Sequence, residues 1–190
     1  VYKAVLDTCA LVPGLQRDFL LQLAAERAYA PLWGTGILFE LDYVLARIDS
    51  RRGINPKDSD HARTHLFDTM QKAFPGATID APKDREYDYQ LDDRDDGHVA
   101  HAAIMGKADA IVTNDEGAGF RTSRTLSDAS IETLNPAEFA TNTVAAHPQA
   151  GARALQQLSM RRATTTRAVL DELHDRYAMT GAHAVLFPLL

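Results

Sequence analysis

Apolar residues along this chain fall into two rhythms, short solid runs and stripes at helical spacing, and the two alternate over most of its length. Tyr2-Lys3-Ala4-Val5-Leu6 is the first run and reads as a strand that closes on Asp7-Thr8. Leu15–Ala28 carries Leu15, Phe19, Leu20, Leu23 and Ala24 on one helical face. Tyr29–Trp33 reads as a second strand, in which Pro31 predicts an edge position or an irregular start. Gly34-Thr35-Gly36 is a turn, with Thr35 the expected cap of a helix over Ile37–Ile48. That helix has its stripe at Ile37, Leu38, Leu41, Val44, Leu45 and Ile48, and Glu40 lies beside the stripe. Pro56–Phe74 predicts a further helix, Ala77-Thr78-Ile79 a short strand, and 81–90 a charged loop.

The most informative stretch runs from Leu91 to Asp115. Asp92, Asp93, Asp95 and Asp96 precede His98–Met105, a run free of Gly and Pro, and an Asp there is a natural helix N-cap. Gly106 and the turn at Lys107-Ala108-Asp109 end that helix, and Ala110-Ile111-Val112 reads as a buried strand with Asp115 just past it. Glu116-Gly117-Ala118-Gly119-Phe120 predicts a flexible segment, followed by an Arg/Thr/Ser-rich loop and a last strand over Ile131–Leu134. Asn135 and Pro136 then open a helix as cap and first residue. From about Thr143 the strands stop: Pro148–Met160 and Thr166–Met179 are amphipathic stretches, and the apolar Ala184–Leu190 is expected to dock on the body or on a partner. Alternating strands and helices imply an α/β layered fold with a mostly parallel sheet over 1–142, with 143–190 as a helical extension.

Bulk properties narrow the class. The chain has 190 residues, 45% hydrophobic and 24% charged, which suits one domain with a sizeable core. No apolar run approaches the roughly 20 residues that span a bilayer, and no secretory pattern is visible, so no membrane role and a cytoplasmic location are expected. Cys9 is the single cysteine, which excludes an internal disulfide and a cysteine zinc cage. A net charge of −6 argues against a broad basic face for nucleic acid, although bound divalent ions can invert a local field.

Candidate chemistry rests on acids at strand ends. Asp7 and Asp115 each follow a predicted strand, and the crevice outside the carboxyl ends of a parallel sheet is where ligands bind. Each also has an ordinary structural reading: Asp7 can cap a turn and Asp96 a helix. Glu40 is harder to explain that way, because Glu is seldom buried unpaired. His98 with His101, and His61 with His65, have helical spacing but no third ligand, so surface or packing roles are expected. Arg121 and Arg124 could contact phosphates near Asp115, or belong to a solvated loop.

Four blocks in order, Val5-Leu6-Asp7-Thr8, Ile37-Leu38-Phe39-Glu40-Leu41, Asp93-Arg94-Asp95-Asp96-Gly97-His98-Val99 and Ile111-Val112-Thr113-Asn114-Asp115, resemble the PIN domain. This is the metal-dependent nuclease fold of many bacterial VapC-type toxins. The likeness covers roughly residues 1–140 and is greatest to a branch with a helical carboxyl-terminal extension. It implies a three-layer α/β/α fold and an acidic metal site at Asp7, Glu40, Asp96 and Asp115, with Asp93 as a further carboxylate and Thr113 in support. Two positions depart from the family pattern: Cys9 replaces a small polar residue, and EGAGF follows Asp115 where many relatives carry another Asp.

The resemblance implies Mg²⁺ or Mn²⁺ as cofactor, since oxygen ligands suit hard cations that retain waters. It implies an endoribonuclease acting on RNA as the toxin of a type II toxin–antitoxin pair, with a cognate antitoxin protein and a homodimer as partners. The alternative is a degenerate PIN module that binds RNA or protein without cutting. An aspartate-nucleophile phosphatase, suggested by Leu6-Asp7-Thr8, is disfavoured because Cys9 stands where that chemistry wants a second Asp.

Overall fold

Five short strands form the centre of the protein, whose computed structural model describes residues 1–190. They are β1 (Lys3–Leu6), β2 (Ala30–Gly34), β3 (Thr78–Ile79), β4 (Ala110–Val112) and β5 (Glu132–Leu134). Their order is β3-β2-β1-β4-β5 and every pairing is parallel. Val5 sits opposite Leu32 on one side and Ile111 on the other. Solid apolar runs such as Ala110-Ile111-Val112 suit this position, because a parallel sheet is covered on both faces.

The helices are α1 (Thr8–Leu11), α2 (Gly14–Ala25), α3 (Thr35–Arg51), α4 (Pro56–Ala73), α5 (Gly97–Gly106), α6 (Arg124–Asp128) and α7 (Pro136–Ala146). Three more follow: α8 (Pro148–Arg161), α9 (Thr166–Tyr177) and α10 (Thr180–Leu186). The β1-to-β2 connection steps one way along the sheet and β3-to-β4 the other. Right-handed crossovers therefore place α2 and α5 on opposite faces. The fold is α/β, with extra helices after the last strand.

Four local expectations are corrected. Pro31 lies in an internal strand: the N–H groups of Ala30 and Trp33 bond to Tyr2 and Ala77 respectively, so position 31 faces the flank where β3 has not yet begun. No ladder donor is lost there. Thr35 is the first residue of α3 rather than its cap, and its hydroxyl accepts the Ala81 N–H at 3.0 Å. The segment after Asp115 is pinned rather than flexible. Asp115 Oδ1 accepts the N–H groups of Gly117 and Ala118 at 2.8 and 3.0 Å, and the Ala118 carbonyl accepts the Asp92 N–H at 3.0 Å. Gly119 is required there, with φ at +81° and a Cβ position only 2.6 Å from Asp92 Oδ2. Finally, the Arg/Thr/Ser-rich loop contains α6, capped by the Ser123 hydroxyl.

Helix α7 opens with the expected Asn135–Glu138 capping box and runs through residue 142 to Ala146. Beyond it, α8 packs on α2 and α10 on α7. Leu155, Leu158, Leu170, Leu173 and Leu186 are buried in the same apolar core as the sheet. The apolar tail docks through Leu186, with Val185 partly buried against the core, while Phe187, Leu189 and Leu190 remain exposed. No helix is long and apolar enough to cross a membrane.

Candidate active site

Strands β1 and β4 are neighbours whose connections leave in opposite directions, which makes the gap beyond their carboxyl ends the switch point of the sheet. Asp7 stands there, only 6% exposed, with its N–H bonded to the Val112 carbonyl at 3.1 Å. Its Oδ1 accepts the Thr8 N–H at 2.7 Å and so caps α1, while Oδ2 accepts the Thr113 hydroxyl at 2.8 Å. Thr113 Oγ1 in turn accepts the Asp115 N–H at 3.0 Å, tying the two strand ends together. Burial pushes the Asp7 carboxyl above its ordinary range, and the hydrogen bonds from Thr113 and Thr8 pull it back.

Asp96 reaches the same place from α5. Asp93 caps the preceding single turn of 3₁₀ helix by accepting the Asp95 N–H at 2.9 Å. Asp96 occupies the N-cap position of α5, yet its side chain makes no capping bond. Asp93 thus caps the turn that leads into α5, α5 itself has no side-chain cap, and the Asp96 carboxylate stands near Asp7 and Asp115. Asp96 is pushed up to about 6, first by burial and then by the negative charges of Asp7, Asp115 and Asp93. Burial is the larger cause, and the contributions of Asp7, Asp115 and Asp93 place these three acids around Asp96.

A family model for the PIN domain matches residues 3–117, well over half of the chain. The chain belongs to the PIN domain family. No curated protein and no solved structure matches it. Members of this family are generally nucleases and typically use divalent metal ions. The matched stretch of this PIN domain contains Asp7, Glu40, Asp93, Asp96, Thr113 and Asp115, whereas Arg121, Arg124 and everything from β5 onward lie outside it.

The donor chemistry of the PIN-domain crevice fits a hard divalent cation. Asp7, Asp93, Asp96 and Asp115 form no ion pair with any Lys or Arg, so no basic side chain of the protein neutralises them directly. No three His, Cys, Asp or Glu side chains stand close enough to hold an ion by direct ligation alone. Mg²⁺ does not require that, since it is commonly held by one or two carboxylates and keeps several waters. Asp7 and Asp96 would hold such an ion, with Asp115 at the exposed lip.

Glu40 is joined to the crevice through Thr8, whose hydroxyl donates to Glu40 Oε2 at 3.0 Å. It is also ion-paired with Lys83 and lies 3.5 Å from His98 Nε2. His98 is 1% exposed, and its Nδ1 bonds the Asp95 carbonyl at 2.9 Å. Burial lowers its affinity for a proton, and its Nε2 has no hydrogen-bond partner. Gly36 makes room for this ring, since a Cβ there would stand 2.6 Å from His98 Cδ2.

Sequence reasoning missed Lys83, which sits in a charged loop with no local signal. It also gave His98 only a surface or packing role, although a His two residues after a site Asp at a helix start was a usable hint. Cys9 is part of the web: its Sγ accepts the Asn114 N–H at 3.2 Å and lies 3.2 Å from Thr113 Oγ1. Burial and the Asp7 charge push its thiol up, which keeps it protonated. Among the other candidates, His61 and His65 are exposed on α4, and His101 bonds Tyr89 through its ring nitrogen. Arg121 lies 3.5 Å from the Glu138 carboxylate, and Arg124 is exposed at the start of α6.

Proposed function

We propose that this PIN domain is a Mg²⁺- or Mn²⁺-dependent endoribonuclease, acting in the cytoplasm as the toxin of a type II toxin–antitoxin pair. The observation that carries the reading is the position of Asp96, which makes no helix-capping bond and is raised to about 6 by burial and by the acids around it. Such a charge concentration is costly for a structural element and useful for holding a cation. When bound, the ion supplies a more acidic water and offsets charge on the phosphodiester. Asp7 and Asp96 hold it, Thr113 fixes the Asp7 carboxylate, and Glu40 and Asp115 orient water at the crevice. The toxin role, the antitoxin and a homodimer rest on the likeness of the four acidic blocks to VapC-type toxins, and the acidic lip suits a basic antitoxin segment. Arg121 and Arg124 belong to the proposal as outlying phosphate contacts.

Single-stranded RNA incubated with the protein is expected to be cut with Mn²⁺ and left intact with EDTA. Asp7→Asn and Asp96→Asn are each expected to lose activity about 100-fold or more. Full metal-dependent cleavage by either variant would eliminate the reading.

A second reading, a PIN module that binds RNA or protein without cutting, is favoured by one observation. Glu40 is engaged by Lys83, and no three acids meet for direct ligation. Absence of Mn²⁺ binding in calorimetry would support it.

A further inference from the structure

A groove of about 940 Å³ opens outside the carboxyl ends of β4 and β5 and extends to the end of α9. Asn114, between Thr113 and Asp115, is part of its lining, so the groove begins at the carboxylate rim. The opposite wall is Arg176 and Tyr177, from the helical region that the family match does not reach. The Arg176 guanidinium lies 5.5 Å from the Tyr177 ring centre, which sets a cation beside an aromatic face; its Nη1 donates to Glu172 Oε1 at 2.6 Å, an exposed pair that a phosphate would compete with. Gln16 spends its amide nitrogen on the Ala10 carbonyl at 3.0 Å and keeps its oxygen free. The groove's one acid, Glu138, is engaged by the Asn135 N–H and by Arg121.

We propose that this groove holds an unpaired nucleotide of the RNA strand on one side of the scissile phosphate. Tyr177 supplies the stacking surface, Arg176 meets a neighbouring phosphate, and the amides of Asn114 and Asn142 face the base edge. This inference rests on the nuclease reading and gives the carboxyl-terminal helices a direct part in substrate choice. An aromatic face, a cation and amides that both donate and accept are the elements that read single-stranded RNA. A protein segment would want larger apolar anchors than the Pro13, Leu134, Pro136 and Ala137 found here. A duplex does not fit, because its bases are already stacked and paired.

The test measures binding of a short fluorescein-labelled oligouridine by anisotropy, using the full-length protein in the Asp7→Asn background with Mg²⁺. Tyr177→Ala and Arg176→Ala are each expected to raise Kd about tenfold, the size of one lost base–aromatic or phosphate contact. Tyr177→Phe keeps the ring and is expected to stay within about twofold. Arg176 is 65% exposed, so its truncation leaves the core intact and guards against a folding artefact. The same strand in a duplex is expected to bind more weakly. Unchanged affinity in both alanine variants, or equal binding of duplex, would overturn the inference. It would leave the groove to a protein segment and the nuclease reading untouched. No binding of the oligouridine by the parent protein would also overturn it, and the metal-dependent cleavage assay on wild type separately decides whether the nuclease reading falls too.

Discussion

Replacing Asp96 by Asn should make the metal-free protein more stable while removing its ability to use metal. The Asp96 carboxyl rises from its ordinary 3.8 to about 6 on folding, so between those pH values the folded state holds a proton that the unfolded state has released. The contribution of Asp96 to stability is then greatest below about pH 4 and is lost as pH rises through about 4 to 6, because deprotonation leaves a partly buried charge beside Asp7, Asp115 and Asp93. At full value the shift corresponds to roughly 3 kcal/mol. Asp96 is only half-buried, and solvent screening reduces this to about 1–2 kcal/mol. Asn keeps the shape and carries no charge, and the Asp96 side chain makes no capping bond that would be lost. Thermal melts in EDTA at pH 7.5 should therefore show Asp96→Asn melting about 2–6 °C above wild type, with the gain vanishing near pH 4. Saturating Mn²⁺ should reverse the order, since occupancy at 100 times Kd adds about 2.7 kcal/mol to wild type alone. A variant that melts at or below wild type in EDTA at pH 7.5 would refute the reasoning.

Mn²⁺ affinity measured by calorimetry should fall as pH drops below about 6, where the Asp96 carboxyl takes up a proton that competes with the metal. Thr113→Val removes the hydroxyl that donates to buried Asp7 and should cost about 1–3 kcal/mol in urea denaturation, with a loss of metal affinity. Gly36→Ala puts a methyl against His98 Cδ2 and the Ala81 carbonyl, and should cost about 1–3 kcal/mol by the same measurement. Lys83→Ala frees Glu40 from a partly exposed pair, so stability should change by less than about 1 kcal/mol while Mn²⁺ binds more tightly. Removing residues 147–190 strips α8 and α9 from α2 and takes Leu155, Leu158 and Leu173 from the core; the shortened chain should lose its cooperative melt by circular dichroism.

Strands β1, β2 and β4 were legible as mainly apolar runs, while β3 (Thr78–Ile79) and β5 (Glu132–Leu134) showed only as short segments between loops and helices; the parallel pairing followed from alternation with helices. That Asp7 and Asp115 share a rim was legible only conditionally, since adjacency of β1 and β4 is a property of strand order rather than of either run. The roles of the acids at 92–96 were not legible: any of them could cap α5, and only geometry shows Asp93 capping the 3₁₀ turn before it and Asp96 at the α5 N-cap position without a capping bond. Pro31 misled because a parallel ladder uses alternate N–H groups, and position 31 falls where no partner strand has begun. The EGAGF segment misled because its glycines suggest freedom, whereas Asp115 and Asp92 fix the turn from either side. Lys83 and His98 were invisible as site components because their partner, Glu40, lies 43 and 58 residues away in sequence.

Crystals grown with Mn²⁺ and measured at a wavelength where manganese scatters anomalously would test the central claim most directly. The account predicts one strong anomalous peak beyond the carboxyl ends of β1 and β4, within bonding distance of carboxylate oxygens of Asp7 and Asp96, and its disappearance in Asp7→Asn. A crevice without a peak at millimolar Mn²⁺, or a peak that persists in Asp7→Asn, would contradict it.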